Sequence, residues 1–569
     1  MTATPSRPTL AEIDAWMTAP GSQFEIGHEI VRGNPVRVWT NAAHDLPAIL
    51  EASRQHGDAE YIVFDDERIT FAEHYRRAAC LAHSLVDRFG VRQGERVAIA
   101  MRNYPEWFVA FWGVIAAGAV AVPLNAWWSG AELAYGLEDS GAVVVIADNE
   151  RIERIAQTEA AGDLRGIISV RTTDVTVPCT PLATLVAPGQ PGGHSLPARA
   201  YERDDVATIF YTSGTTGRPK GAIGTHRNMC STQLCIAYIG MRAAAWHPEA
   251  LPIEGQAVTM LCVPLFHVTG CHGAVLGSLA AGSKVVMMHR WDPQVALELI
   301  ERERVTTFNG VPAMALQMLD ALGRNDRDVS SLRRLSSGGA PAADDQARWL
   351  RDALPHVLSG NAWGMTETSQ IVTAIYGDDY AEHPASCGYP APVDELRIVD
   401  PDDLPPPAAE IGEIVVRGPN IVAGYWNKPE ATASTIVDGW LHTGDLGRID
   451  SDGRLYVVDR IKDVISRGGE KIGSVEVESA LHDHPAVADA AVIGLPHPVL
   501  GEEVGAVVRL WDGQQVGEAE LREHVAARLA SFKVPVRIWF WPAELPRNPA
   551  GKILKRDLRD AVLTRPALD

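Results

Sequence analysis

Short apolar runs of strand length alternate with longer helix-period stretches over most of this chain. The pattern predicts strands over 97–101, 119–124, 142–147, 206–211, 257–264, 284–288, 306–309 and 332–336. Helices are predicted between them over 106–118, 131–139, 270–281, 293–302 and 312–322. Strands that alternate with helices at this spacing imply a parallel sheet, because parallel neighbours need a crossover. Residues 1–55 read as a lead-in of short helices and polar turns. Residues 171–200, rich in Pro, Thr and Gly, read as a surface connection. From Cys387 to Val458 the runs shorten and are broken by Asp, Gly and Pro, which indicates a β subdomain. Beyond it come helices over 473–481 and 517–529, strands over 489–494, 505–510 and 536–541, and a lysine-bearing tail. The expected division is a large α/β domain over 1–459 and a small α+β domain over 460–569, with the junction near Asp459–Asp463.

One run, Trp107 to Leu124, is uncharged and long enough to span a bilayer. Its Gly and Ala content, and its Val-Pro-Leu end beside a strand-like run, favour a buried helix followed by a strand. No transmembrane segment is expected.

Composition narrows the partners. With 46% hydrophobic and 22% charged residues the chain is an ordinary globular protein. A net charge of −21 argues against nucleic acid or an anionic membrane as the main partner. The seven cysteines form no CxxC pair and are odd in number. With no basic-then-apolar leader, this suggests a reducing, cytoplasmic setting.

Five motifs carry candidate chemistry. Tyr211-Thr212-Ser213-Gly214-Thr215-Thr216-Gly217-Arg218-Pro219-Lys220-Gly221 follows a predicted strand. Its glycines let backbone N–H groups approach an anion, its hydroxyls add donors, and Lys220 adds a cation, so it suits a triphosphate. It is not a Walker A loop, which needs a hydroxyl residue next to its lysine. Trp363-Gly364-Met365-Thr366-Glu367 pairs a phosphate donor with a magnesium-type carboxylate; alone, Thr-Glu also begins helices. Asp445 of His442-Thr443-Gly444-Asp445 could accept from ribose hydroxyls or simply form a turn. Asp459-Arg460-Ile461-Lys462-Asp463, followed by Gly468-Gly469, is also readable as a charged linker. Pro546-Arg547-Asn548-Pro549-Ala550-Gly551-Lys552-Ile553 is alone no more than a loop with a lysine. A glycine turn, Gly338-Gly339-Ala340, ends a predicted strand, where open α/β sheets bind ligands.

Together and in this order, the motifs resemble the adenylate-forming enzymes: acyl-CoA synthetases, firefly luciferase and the adenylation domains of peptide synthetases. The resemblance covers about residues 55–560. It implies a large N-terminal domain of two α/β lobes plus a β lobe, and a small mobile C-terminal domain. It implies a reaction in two halves. A carboxylate attacks the α-phosphorus of ATP, giving acyl-adenylate and pyrophosphate; coenzyme A thiol then displaces AMP. By the same resemblance, Thr212, Ser213, Gly214, Thr215, Thr216, Gly217 and Lys220 hold the β- and γ-phosphates. Thr366 contacts the α-phosphate and Glu367 holds Mg2+. Gly338, Gly339 and Ala340 line adenine, and Trp363, before Gly364, replaces the usual Tyr or Phe that stacks on it. Asp445 and Arg460 meet the ribose, Lys462 is the pivot, Lys552 is the catalytic lysine, and Gly468 and Gly469 face the pantetheine arm. Gly473 stands where relatives often have Ser or Pro.

The segment Pro264-Leu265-Phe266-His267-Val268-Thr269-Gly270 matches the one whose histidine lies near the acyl carboxylate; His267 also reads as a core histidine. The segment has no carboxylate, which disfavours an amino acid. A pocket wall of Val268, Thr269, Cys271, Val311 and Met365 implies an apolar fatty, alicyclic or aryl acid. The rival acceptor is a separate carrier protein in place of coenzyme A, and luciferase-like oxygen chemistry is a further alternative by motif. A homodimer is held open. His484 and Asp489 have the His-x4-Asp spacing of acyltransferases, but a turn into a strand is the favoured reading.

Overall fold

The computed structural model describes residues 8–173, 177–212, 218–248, 250, 252–339, 346–400, 411–468, 470–548 and 552–564. Among these, four large sheets organise the chain. The first has seven strands, in the order 220–225, 206–212, 120–123, 96–100, 142–148, 166–170 and 180–181. All its neighbours are parallel except the hairpin of Val206–Thr212 with Lys220–Thr225. The second has nine strands, with a parallel centre running from Leu358–Trp363 through Arg334–Gly338, Thr307–Gly310, Val258–Leu261 and Lys284–Met287 to Glu60–Phe64. Antiparallel strands finish both of its edges.

The uncharged run is internal. Pro105–Ala116 is a helix and Val120–Pro123 a strand. Trp107, Phe108, Phe111 and Trp112 are fully buried in the core that the two sheets share. A helix that is apolar on every face belongs inside a protein or a bilayer; no described helix is long and apolar enough to cross a membrane.

A third sheet is antiparallel and spans Glu395–Val399 to Leu455–Arg460. The fourth begins at Ile465–Arg467 and runs to Arg537–Phe540. It has its own apolar core around Val477, Leu481, Val492, Val504, Val508, Leu521 and Val525. The architecture is thus α/β, with a large N-terminal and a small C-terminal domain.

Several features depart from the sequence expectation. The lead-in contains an antiparallel hairpin, Ile26–Val31 with Asn34–Trp39. Two long helices, Phe71–Asp87 and His226–Trp246, lie in stretches given no element. The helix expected over 270–281 is a π-helix at Cys271–Gly277, entered and left by short α turns. The tail is not wholly irregular: Lys555–Thr564 is a helix that buries Leu558 and Val562.

Candidate active site

The phosphate-type loop is closed by hairpin register. Thr212 and Lys220 are direct cross-strand partners, so the two ends of the loop face each other. Ser213, Gly214, Thr215, Thr216 and Gly217 lie outside the described residues, as do Ala340 and Gly469. The strand entering the loop is fixed by Tyr211, whose hydroxyl donates to Asp139 Oδ2 at 2.8 Å. The strand leaving it is paired with the segment 423–426, through Ala423 N–H to Ile223 O at 2.9 Å and Trp426 N–H to Gly221 O at 2.7 Å.

That pairing brings in Tyr425, a residue the motifs did not single out. Its hydroxyl donates to Glu367 Oε1 at 2.7 Å. Lys220 Nζ lies 5.0 Å from the centre of its ring. Glu367 sits in a single 3-10 turn, Thr366–Thr368, and is 7% exposed. A buried carboxylate with a hydroxyl residue next to it in sequence is a donor set that suits a hard divalent cation such as Mg2+.

Adjacent parallel strands end together at this place. Gly338 pairs with Ala362 at the C-terminal ends of their strands, and Trp363 follows. A side chain at Gly338 would meet Ala362 O, and Gly339 has φ +79°, so the turn is built for glycine. At Gly364 a Cβ would lie 1.7 Å from Gln370 O, a clash with backbone that no other residue avoids. Trp363 is buried among Val372, Ile414 and Leu441, and its indole N–H donates to Asp445 Oδ2 at 3.0 Å. The other oxygen of Asp445 pairs with Arg460 Nε at 3.2 Å, the two residues being register partners in the third sheet.

The C-terminal tail reaches the same place. Arg547 and Ile553 form an isolated bridge. Asn548 N–H donates to Lys552 O at 2.8 Å, and Lys552 N–H donates to Asn548 Oδ1 at 2.9 Å. These two bonds fix the backbone of Lys552, which is half-buried. Burial, then the nearby Arg460 charge, lowers its ammonium to about 8, and Asp463 and Asp445 only partly oppose this. Lys462 is lowered by the same two causes in the same order. Three cations therefore crowd about Asp445 in a chain whose net charge is −21. Such crowding is costly unless an anion joins it.

His267 borders a cavity with Pro123, Asn125, Trp128, Tyr211, Thr212, Phe266 and Asn548, so both domains contribute to its wall. Its Nε2 is buried without a hydrogen-bond partner among the described residues. Burial lowers the ring to about 4, so it is neutral at pH 7. Of the expected pocket wall, Thr269 is exposed, Val268 and Val311 are buried, and Met365 packs against the cluster around Trp363. Cys271 has no exposed surface and belongs to the main core, so it does not face the pocket. Gly468 lies in a hairpin turn of the fourth sheet, donating to Leu500 O at 2.8 Å. Gly473 precedes the helix Ser474–His482. Asp489 is paired with Arg547, and His484 Nδ1 accepts from Ala486 N–H at 3.2 Å, so the His-x4-Asp spacing makes a turn and no catalytic pair.

The profile of the AMP-binding enzyme family matches residues 49–426, and that of the AMP-binding enzyme C-terminal domain matches residues 476–552. The chain belongs to the AMP-binding enzymes. Among members of that family it is 40% identical to a feruloyl-CoA synthase of Amycolatopsis sp. over 493 residues, covering 86% of this chain and 93% of the relative. Among solved structures, an anthranilate CoA ligase in complex with anthranoyl-AMP superposes with a TM-score of 0.81 at 28% identity, over 91% of this chain and 97% of that one. An o-succinylbenzoate CoA synthetase from Bacillus subtilis, in complex with ATP and magnesium ion, gives a TM-score of 0.76 at 30% identity, over 90% and 99%. This AMP-binding enzyme is an ATP-dependent acyl-CoA ligase that uses ATP, Mg2+ and coenzyme A.

Proposed function

We propose that the acid is aryl, of the hydroxycinnamate or benzoate type, and that each half-reaction is performed by the residues gathered around Asp445. The observation that carries this is the convergence of Lys552, Lys462 and Arg460 about Asp445, with Asn548, which accepts from Lys552 N–H, in the wall of the cavity that His267 borders. Support for a ring-bearing acid comes from the feruloyl-CoA synthase and anthranilate ligase relatives and from the aromatic lining by Trp128, Tyr211 and Phe266.

In this reading Lys220 and the loop it closes take the β- and γ-phosphates. Asp445, held by Trp363 and Arg460, accepts from the ribose hydroxyls. Thr366 and Glu367 hold the metal and α-phosphate side, where Mg2+ supplies charge neutralisation. Lys552 bridges the incoming carboxylate and the α-phosphate, cancelling the repulsion between two anions as they meet. Most of the acceleration comes from placement and fixed charge, since the transition state gathers negative charge on phosphoryl oxygens. Neutral His267 borders the carboxylate end without adding charge. We place the domain boundary near 459/460, and in support the third sheet ends at Arg460 and the fourth begins at Ile465. A pivot at Lys462 would withdraw Lys552 and bring the face bearing Gly468 and Gly469 to the thiol. Seven free cysteines accord with a reducing, cytoplasmic setting.

The test is a panel of ferulate, 4-coumarate, anthranilate, benzoate and straight-chain fatty acids, each with ATP and Mg2+, with and without coenzyme A. Pyrophosphate release with aryl acids and CoA-dependent turnover are expected. A preference for fatty acids would overturn the aryl assignment, and turnover with a carrier protein but not coenzyme A would favour the rival acceptor.

A further inference from the structure

We infer that Tyr425 is a positioning residue that couples the metal-side carboxylate to the phosphate-side lysine. The inference rests on the ligase reading above, because it takes Glu367 and Lys220 as the groups that meet metal and polyphosphate.

Two independent contacts meet at this one side chain. The phenol donates to Glu367 Oε1 at 2.7 Å, and the ring centre lies 5.0 Å from Lys220 Nζ. These contacts act on opposite charges. A carboxylate has two oxygens; when a hydroxyl fixes one, the other is left to coordinate a cation in a set direction. Hydrogen bonds of this kind orient metal ligands and govern metal affinity. The ring holds the ammonium through its negative face, which constrains the lysine without neutralising it. A carboxylate in place of Tyr425 would collapse onto Lys220; a phenol holds both groups apart and still charged.

Tyr425 is itself rigidly placed. Its backbone N–H donates to Thr432 Oγ1 at 2.8 Å, and it forms a bridge with Ala222, two residues beyond Lys220. On the other side Val422 N–H donates to Glu367 O at 3.0 Å. The segment 422–425 is therefore laced to the Thr366–Thr368 turn and to the strand that leaves the phosphate loop. A shift of either would be felt by the other through Tyr425. This is a route by which metal and polyphosphate binding reinforce each other.

The experiment uses the full chain with two variants, Tyr425→Phe and Tyr425→Leu. ATP binding is measured by calorimetry with Mg2+ and with EDTA, Mn2+ binding in the presence of ATP by electron paramagnetic resonance, and pyrophosphate exchange alongside. Tyr425→Phe keeps the ring against Lys220, so ATP affinity in EDTA should match the parent. It loses the hydroxyl, so Mn2+ binding should weaken about 10-fold and the Mg2+-dependent gain in ATP affinity should shrink. Tyr425→Leu should show both the metal effect and weaker ATP binding in EDTA. In a Glu367→Gln background the Tyr425→Phe substitution should have no further effect on Mn2+. The inference is overturned if Tyr425→Phe binds Mn2+ like the parent, or loses ATP affinity equally with and without metal. Failure of the underlying ligase reading would look different: the parent itself would exchange no pyrophosphate with any acid.

Discussion

Trp363 donates its indole N–H to Asp445 Oδ2 at 3.0 Å, while Arg460 holds the opposite oxygen at 3.2 Å. The carboxylate is thereby fixed from both sides. Trp363→Phe keeps an aromatic ring but removes the donor. A hydrogen bond to a charged group contributes about 2 kcal/mol, or roughly 30-fold. We expect KM for ATP to rise by about 10-fold or more, with a smaller change in KM for the acid. Steady-state kinetics with each substrate varied in turn checks this; an unchanged KM for ATP would remove Trp363 from the ribose side.

The lowered ammonium of Lys552 sets a pH limit. Its value of about 8 lies below the ordinary 10.5, so the charged form that the adenylation step needs is lost as pH rises through about 8. The kcat/KM for adenylation should therefore fall on the alkaline side of pH 8, approaching tenfold per unit. Lys552→Arg keeps its charge and should lack that alkaline limb, even at a lower overall rate. A pH profile of pyrophosphate exchange for both proteins decides it.

Lys462 separates the two half-reactions. Lys462→Pro restricts the backbone where the two sheets meet. Adenylation should continue near the parent rate, while thioester formation from preformed acyl-adenylate falls by roughly 100-fold or more if rotation limits it. Single-turnover assays of each half, run separately, measure this. Equal loss of both would move the pivot elsewhere.

His267 is neutral at pH 7, its ring lowered to about 4 by burial. It therefore contributes no titration between about pH 5.5 and 7.5, and kcat/KM for the acid should be flat there. His267→Ala should raise KM for the acid about 5-fold through the lost wall and polar contact, and leave KM for ATP unchanged. An inflection near the ordinary histidine value of about 6.5 that vanishes in the variant would contradict this assignment.

Much of this site is legible in the sequence because its residues sit at the ends of apolar strands. The run before Thr212 and the turn at Gly338-Gly339 both declare a strand's C-terminal edge, where α/β sheets bind ligands. Other parts are not local. The Trp363–Asp445 contact joins residues 82 positions apart and depends on how the third sheet packs against the second. Tyr425 lies in a stretch that reads only as irregular β structure. Gly424-Tyr425-Trp426 followed by Asn427-Lys428-Pro429 marks a turn and gives no sign of its pairing with residues 221–223. The helix His226–Trp246 is hidden because small and polar residues such as Cys230, Ser231, Thr232 and Cys235 are buried on it, which blurs the apolar period. The π-helix at Cys271–Gly277 is likewise invisible to a 3.6-residue pattern.

The most direct measurement is exchange of labelled pyrophosphate into ATP, driven by ferulate, by the parent and by Lys552→Ala. The account predicts exchange by the parent, loss of roughly 100-fold or more in the variant, and retained thioester formation when the variant is given feruloyl-AMP and coenzyme A. Equal exchange by the two proteins would contradict it.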